Sequence, residues 1–486
     1  MSNKEEKRIS VAGPNPAPDA VAEIQTMVSA LISRAHKAQR SLEQYSQDQV
    51  DEVVTAAGWA VVNPEHNREL AELAVADTGL GNVADKFTKN RRKTMGLLRD
   101  LQGAKSVGVI ADDPASGITE IARPVGVVAA ITPSTNPVAT AANMILNALK
   151  GRNAVVLSPS PKGYSSGARL LDFIHAELGR VNAPPDIVQM LPHPVSKEST
   201  TELMQQADLV VVTGSQSNVR AAYASGTPAI GVGVGNVAVI VDDSAEFPQT
   251  AMKIAASKTF DHATSCSSEN SLVILDTVYD TLMEALQQLG GVLLSGAEKS
   301  QLQKTMWPNG KLNPLVTARA AVSIGQAAGL TREELQSCRF LMVEETGVGR
   351  DYPFSGEKLA PVLTLYRVRN FDHACSLSRS LLDFQGAGHS IGIHTRNDDH
   401  VLRLGLEMPV CRVIVNQGHV FATGGNFDNG LPFSLSMGCG TWGRNTISDN
   451  LNYRHYLNIT RIARTISPRE PTEQDLFGGY RRKFDL

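Results

Sequence analysis

From Pro124 onward, short apolar runs alternate with helical stretches. VGVVAAI precedes a helical pattern over about 138–150, and AVVL precedes another over about 165–178. IVQML then leads into a short helix, followed by LVVVT and VAVIV. Runs this short and this rich in Val and Ile predict strands buried on both faces, and helices between them predict crossovers of βαβ type. Such crossovers are right-handed, so the pattern leaves little besides an open parallel sheet with helices on both sides. A second α/β region is predicted over about 242–423, where SLVIL, LTLYRV and CRVIVN read as strands. Upstream, a polar, Pro-containing arm to about Pro18 is expected to be extended or poorly ordered. Val21, Ile24, Val28, Leu31, Ile32 and Ala35 then recur at helical spacing. Ser46 and Gln49 form the two ends of a capping box, and helical segments continue to about Leu101. Between the helices and the first strand, GVIADDPASGITEI (108–121) reads as a hairpin, with Asp-Asp-Pro and Ser-Gly as its turn residues.

A chain of 486 residues, 42% hydrophobic, has room for two or three domains with full cores. A net charge of -3 gives no electrostatic reason to bind nucleic acid or an anionic membrane, so small molecules are the expected partners. Five cysteines, an odd number dispersed through the chain, argue against a disulfide framework or a zinc knuckle and for a reducing compartment, and no metal is expected. The N-terminus lacks the apolar core of a secretory signal and no long apolar run occurs, which predicts a cytoplasmic protein without a membrane span.

The chemistry concentrates at one cysteine. Cys266 lies among small hydroxylic residues in FDHATSCSSENS, between a predicted helix and the strand SLVIL, where a thiol is either core filling or an exposed nucleophile. Three polar junctions follow predicted strands: Thr132-Pro133-Ser134-Thr135-Asn136-Pro137, Ser158-Pro159-Ser160-Pro161-Lys162, and Gly214-Ser215. Strand C-terminal ends are where doubly wound folds bind ligands. No G-x-G-x-x-G opens a helix; the glycines of GVGVGN (231–236) precede a strand instead, so the usual dinucleotide fingerprint is missing.

Six motifs in order carry a resemblance that spans about 24–464: PVGVVAAITPSTNP, LKGRNAVVLSPSP, GVGVGNVAVIV, FDHATSCSSENSLVI, EKLAPVL and GCGTWG. They resemble the aldehyde dehydrogenase superfamily, in particular its CoA-acylating branch. The resemblance implies a Rossmann-type nicotinamide-binding domain (1–107 and 122–241), a catalytic domain with the nucleophilic cysteine (242–440), and an oligomerisation hairpin and C-terminal segment (108–121 and 441–486). It implies that Cys266 attacks an aldehyde, that Asn136 donates to the resulting oxyanion, and that Glu357 holds the nicotinamide ribose. His389, in a Gly-His-Ser element, is implied near the thiol, whereas His262 stands where relatives often carry asparagine and is left out.

Hydrolytic relatives carry a glutamate base in an L-E-L-G-G-K-like motif, and Val232 aligns with it here. A valine cannot activate water, so the implied product is a thioester passed to CoA. The cofactor is NADP or NAD: Pro161 replaces the glutamate that would repel a 2′-phosphate, and Ser158, Ser160 and Lys162 are nearby donors. Thr132, Pro133, Gly214, Ser215 and Gly233 complete the implied cofactor-binding set. The C-terminal segment from Phe427 to Ile462 is most similar to acylating sulfoacetaldehyde dehydrogenases, which implies sulfoacetaldehyde as substrate. Acetaldehyde, propionaldehyde and semialdehydes stay open, as does an inactive scaffold. A homo-oligomer, dimer or tetramer, is expected, and the short tail GGYRRKFDL leaves no room for a second dehydrogenase domain.

Overall fold

The computed structural model describes residues 18–486; the predicted extended arm lies outside them. Among the described residues, fifteen strands form three sheets. β1 (Gly108–Asp113), β2 (Ile118–Pro124) and β15 (Leu457–Ala463) make an antiparallel sheet in the order β1-β2-β15. β3 (Val127–Ile131), β4 (Ala154–Ser158), β5 (Val188–Met190), β6 (Leu209–Val212) and β7 (Ala229–Gly231) form a parallel sheet in the order β5-β4-β3-β6-β7. The largest sheet contains β8 (Val237–Val241), β9 (Glu269–Leu275), β10 (Gly291–Leu293), β11 (Phe340–Glu344), β12 (Val362–Val368), β13 (Ile391–His394) and β14 (Val413–Val415). Its strands are parallel, in the order β10-β11-β12-β9-β8-β13-β14.

Side-chain alternation decides what each strand face meets. Val128, Ala130, Val155 and Leu157 pack into one core with the helices Gln47–Val62, Pro137–Lys150 and Tyr164–Arg180. Their neighbours Val127, Ala129, Ile131, Ala154 and Val156 pack into another with the helices Pro18–Leu42 and Lys197–Gln206. Period-two alternation with both faces apolar is why VVAAI reads as a continuous apolar run. The seven-stranded sheet repeats the scheme: Val237, Val239 and Val241 face one core, Ala238 and Ile240 the other. The capping box at Ser46 and Gln49 forms as predicted. The hairpin forms too, and its Gly117 has φ +68 with Arg464 O where a Cβ would sit, so β15 requires glycine there.

Two predicted boundaries are corrected by strand pairing. VAVIV, assigned to the first unit, is β8 and pairs with β9 and β13, so the second sheet begins at 237 rather than after 241. A short apolar strand cannot announce which sheet it joins, and the real first-sheet partner, β7, is only three residues long. The end of the expected catalytic unit (242–440) and the C-terminal segment after it also return to the first: Phe433 in the former, and Leu451 and Tyr456 in the latter, are buried in the core of the five-stranded sheet. Gly96, on the helix Val83–Leu101, lies against the Phe433 ring, which leaves no space for a side chain.

The two large sheets meet in a polarised way. The loops after β3, β4 and β6 leave the C-terminal ends of the first sheet, with β3 at the switch point between β4 and β6. The loops bearing GVGVGN, Cys266, Glu357 and His389 enter the N-terminal ends of β8, β9, β12 and β13.

Candidate active site

A cleft of about 810 Å³ lies where those loops converge. Its wall includes Thr132, Pro133, Asn136, Ser158, Ser160, Gly214, Ser215, Val232, Gly233, Cys266, Glu357 and His389. Lys162 is not on it; that residue is exposed on the turn Pro161–Gly163. The cation on the corresponding wall is Lys197, beside Ser196, at the start of the helix Lys197–Gln206. Neither carried a sequence signal beyond its capping-box position.

Cys266 is half-buried, and its Sγ lies 3.4 Å from His389 Nε2. The other imidazole nitrogen, Nδ1, is 2.7 Å from Ser390 Oγ. Burial, with Arg412 and His419 nearby, pulls His389 down to about 3, so the ring is neutral at pH 7. If Nδ1 carries the proton, donated to Ser390, Nε2 presents a lone pair to the thiol. Burial raises the Cys266 pKa, and Glu357 raises it further, so this cysteine is a thiol until a base takes its proton.

The cysteine loop is held from below by buried charge. Asp261, His262 and Ala263 have φ of 50, 49 and 57, left-handed values that strain non-glycine residues. Fixing this turn is the fully buried Asp261 carboxylate, which pairs with Lys86 Nζ at 3.1 Å and Lys89 Nζ at 2.5 Å. It also accepts from Thr264 Oγ1 at 2.7 Å and from the Asn82 N–H at 3.1 Å. Lys89 reaches further, donating to Thr264 Oγ1 at 3.0 Å and to Asn136 Oδ1 at 2.7 Å. Asn136 precedes the helix Pro137–Lys150 but makes no side-chain cap. With Oδ1 engaged by Lys89, its Nδ2 hydrogens are the free end of the amide. A Cβ on Gly235 would lie 2.0 Å from Cys266 O, so the third glycine of GVGVGN lets the cysteine backbone approach.

Glu357 is held by its loop rather than by its own carboxylate. Its N–H donates to Gln385 Oε1 at 3.0 Å. Below it, Asn270 Nδ2 donates to Gly356 O at 2.6 Å, and fully buried Lys358 donates to Phe354 O at 2.6 Å. Glu357 Oε1 is buried without a partner, and burial raises its pKa to about 8 despite Lys358 and Lys258. An orphaned acceptor on a cleft wall fits a ligand hydroxyl, which is what a nicotinamide ribose offers. Among the described residues, no group of three or more His, Cys, Asp and Glu could hold a metal.

The aldehyde dehydrogenase family model matches residues 3–335. The acylating sulfoacetaldehyde dehydrogenase of Cupriavidus necator is 62% identical over 93% of this chain and 92% of that protein. The acetylating succinate-semialdehyde dehydrogenase of Clostridium kluyveri is 36% identical over 90% of this chain and 96% of its own. An acetylating aldehyde dehydrogenase from Geobacillus thermoglucosidasius superposes with a TM-score of 0.89 at 35% identity, over 94% of this chain and 100% of its own. With a thiol, a neutral imidazole and an oriented amide at the junction of two parallel sheets, the chain belongs to the aldehyde dehydrogenase family. The relatives it matches along nearly their whole length include acylating members, and it is an oxidoreductase of that kind.

Proposed function

We propose that this enzyme oxidises sulfoacetaldehyde to sulfoacetyl-CoA with NADP or NAD. The observation that carries the acylating reading is Cys266 Sγ 3.4 Å from the neutral His389, with apolar Val232 on the same cleft wall. Cys266 Sγ attacks the aldehyde carbon while His389 Nε2 takes the thiol proton. The oxyanion is met by Asn136 Nδ2, which Lys89 orients, and by the backbone N–H of Cys266 itself. Glu357 accepts the ribose hydroxyls of the nicotinamide cofactor, and Thr132, Pro133, Gly214, Ser215 and Gly233 line its path. When bound, that cofactor supplies a hydride acceptor. Cys266 is left as a thioester, and Val232 has no lone pair with which to activate water. The thiol of CoA then takes the acyl group by exchange.

Ser158, Ser160 and the cation Lys197 support acceptance of NADP as well as NAD, with Lys197 in the part first given to Lys162. The choice of sulfoacetaldehyde rests on similarity to the Cupriavidus necator enzyme along nearly the whole chain. All five cysteines are free thiols, which supports a reducing, cytoplasmic setting. Among the described residues no helix is long and apolar enough to cross a membrane. Exposed Leu476, Phe477, Tyr480 and Phe484 on the helix Glu473–Phe484 support a homo-oligomer. Purified enzyme given aldehyde and NADP is expected to release one equivalent of reduced cofactor and stop until CoA is added. Full multiple turnover to free acid without CoA would overturn the acylating reading.

A further inference from the structure

One stretch of the cleft wall carries positive charge that the protein leaves unneutralised. Lys89, Arg92 and Lys93 lie at i, i+3 and i+4 on the helix Val83–Leu101, so all three share a face, and all three line the cleft. Lys89 is accounted for by its ion pair with Asp261. The other two have no carboxylate within ion-pair distance among the described residues. Arg92 Nη2 donates to the neutral Asn426 side chain, and its Nε is buried without a partner. Its guanidinium sits over the Phe421 and Phe427 rings, 5.7 Å and 5.5 Å from their centroids, and exposed Asp428 is the nearest acid acting on it. Lys93 is 8% exposed, and its Nζ donates to Gly424 O at 2.8 Å and Gly425 O at 3.2 Å. Two carbonyls use two of its three N–H bonds and supply no negative charge. Burial, with Arg92 and Lys89 alongside, brings Lys93 down to about 7.

Leaving an uncompensated cation this deep is costly unless something else brings the charge. The surroundings of the pair are the 420–427 segment, with the Phe421 and Phe427 rings, rather than the strand ends of the five-stranded sheet. The cofactor phosphates therefore do not account for it. We propose that Arg92 and Lys93 form an anion-receiving subsite that selects aldehydes bearing a sulfonate over neutral aldehydes. The inference rests on the functional reading above and deepens it: the fixed charge lies on the substrate's own anion, and the planar guanidinium offers paired donors to two sulfonate oxygens.

The test has a kinetic and a binding arm. Arg92→Gln and Lys93→Gln are expected to lower kcat/KM for sulfoacetaldehyde about 10- to 100-fold, chiefly through KM, while propionaldehyde changes by less than about threefold. Arg92→Lys is expected to recover part of the loss. Equal losses on both aldehydes, or a rise confined to the KM of CoA or NADP, would overturn the subsite. Succinate semialdehyde supplies a carboxylate at greater reach; if it is preferred and equally sensitive to Arg92→Gln, the sulfonate assignment falls. The binding arm uses ethanesulfonate on the Cys266→Ala protein, by calorimetry, and needs no turnover. Tight binding lost in Arg92→Gln supports the subsite even should no aldehyde be acylated, in which case only the functional reading fails. Undiminished binding in both Gln variants overturns the subsite whatever the enzyme turns over.

Discussion

The wall built by the five-stranded sheet and the wall built by the seven-stranded sheet differ in what holds them. On the first, Thr132, Ser158, Ser160 and Ser215 present hydroxyls on loops tied by light bonds, such as Ser158 Oγ to Thr200 Oγ1 at 2.8 Å and Ser215 Oγ accepting from the Asn218 N–H at 3.3 Å. On the second, the cysteine loop rests on Asp261, Lys86 and Lys89, and the Glu357 loop on Lys358 and Asn270, all buried. Buried charge is costly, and it is placed here beneath the atoms whose positions decide reactivity. In the proposed reaction the hydroxylic wall takes a cofactor that leaves each cycle and is expected to adapt, whereas the wall bearing Cys266 makes and breaks bonds and is expected to be rigid.

Substitutions on the rigid wall should therefore act mainly on kcat. Cys266→Ala is expected to abolish acylation, by at least about 10⁴-fold, without loss of cofactor binding, measured by nucleotide fluorescence. Asn136 stands on the loop after β3, on the first wall, but Lys89 ties it to the support of the cysteine loop, so Asn136→Ala is expected to cost roughly 10²- to 10³-fold in kcat with KM little changed. If the second loss appeared in KM instead, Asn136 would act with the hydroxylic loops of its own wall and not with the cysteine loop.

His389→Ala is expected to cost roughly 10²-fold near pH 7, and its pH profile carries the sharper information. Because the ring is held near pKa 3, the wild-type rate has no acid limb between pH 5 and 8, whereas the variant should rise about tenfold per pH unit as hydroxide replaces the imidazole. The same depression acts on stability. His389, His394 and His419 are drawn down to about 3, 3 and 4, so the unfolded chain takes up their protons first as pH falls below about 6.5. Stability is full above that value and is lost toward pH 4, by at most about 4 kcal/mol per pH unit for three protons. Chemical denaturation at pH 7 and pH 5 measures it.

What the sequence made legible follows the same division. Parallel strands buried on both faces leave apolar runs, so VVAAI, AVVLS and LVVV were readable, and so was the thiol in its hydroxylic loop. The motif resemblance brought Asn136, Glu357 and His389 to the cleft wall with Cys266. The supports were not readable. Lys86, Lys89 and Asp261 look like solvated charges until a distant segment covers them, and Asp261 is 172 residues from Lys89. Lys197 was missed because a lone lysine opening a short helix carries no sign of the cleft it faces, and β8 was misassigned because an apolar pentapeptide carries no record of its partners.

Val232→Glu tests whether the missing base is what makes the second wall acylating. Val232 is 7% exposed on the cleft, so a carboxylate there must find room beside Gly233, where a Cβ would lie 2.8 Å from Cys439 Sγ. Release of free acid without CoA is expected to rise roughly tenfold, less than a preorganised base delivers. No rise would mean that water is excluded by the wall itself rather than by lack of a base.

The smallest effect is expected on the adaptable wall. Lys197 is exposed at the start of its helix, so it can meet a 2′-phosphate but only through solvent-screened charge. Lys197→Ala is expected to lower kcat/KM for NADP roughly twofold to fivefold and to leave NAD unchanged, with the NADP penalty shrinking as salt rises. Lys162→Ala, off the cleft wall, should do less. Were Lys162 the more sensitive of the two, the turn Pro161–Gly163 would have to swing over the bound nucleotide, and the five-stranded side would be more mobile than its hydroxyl-lined loops alone require.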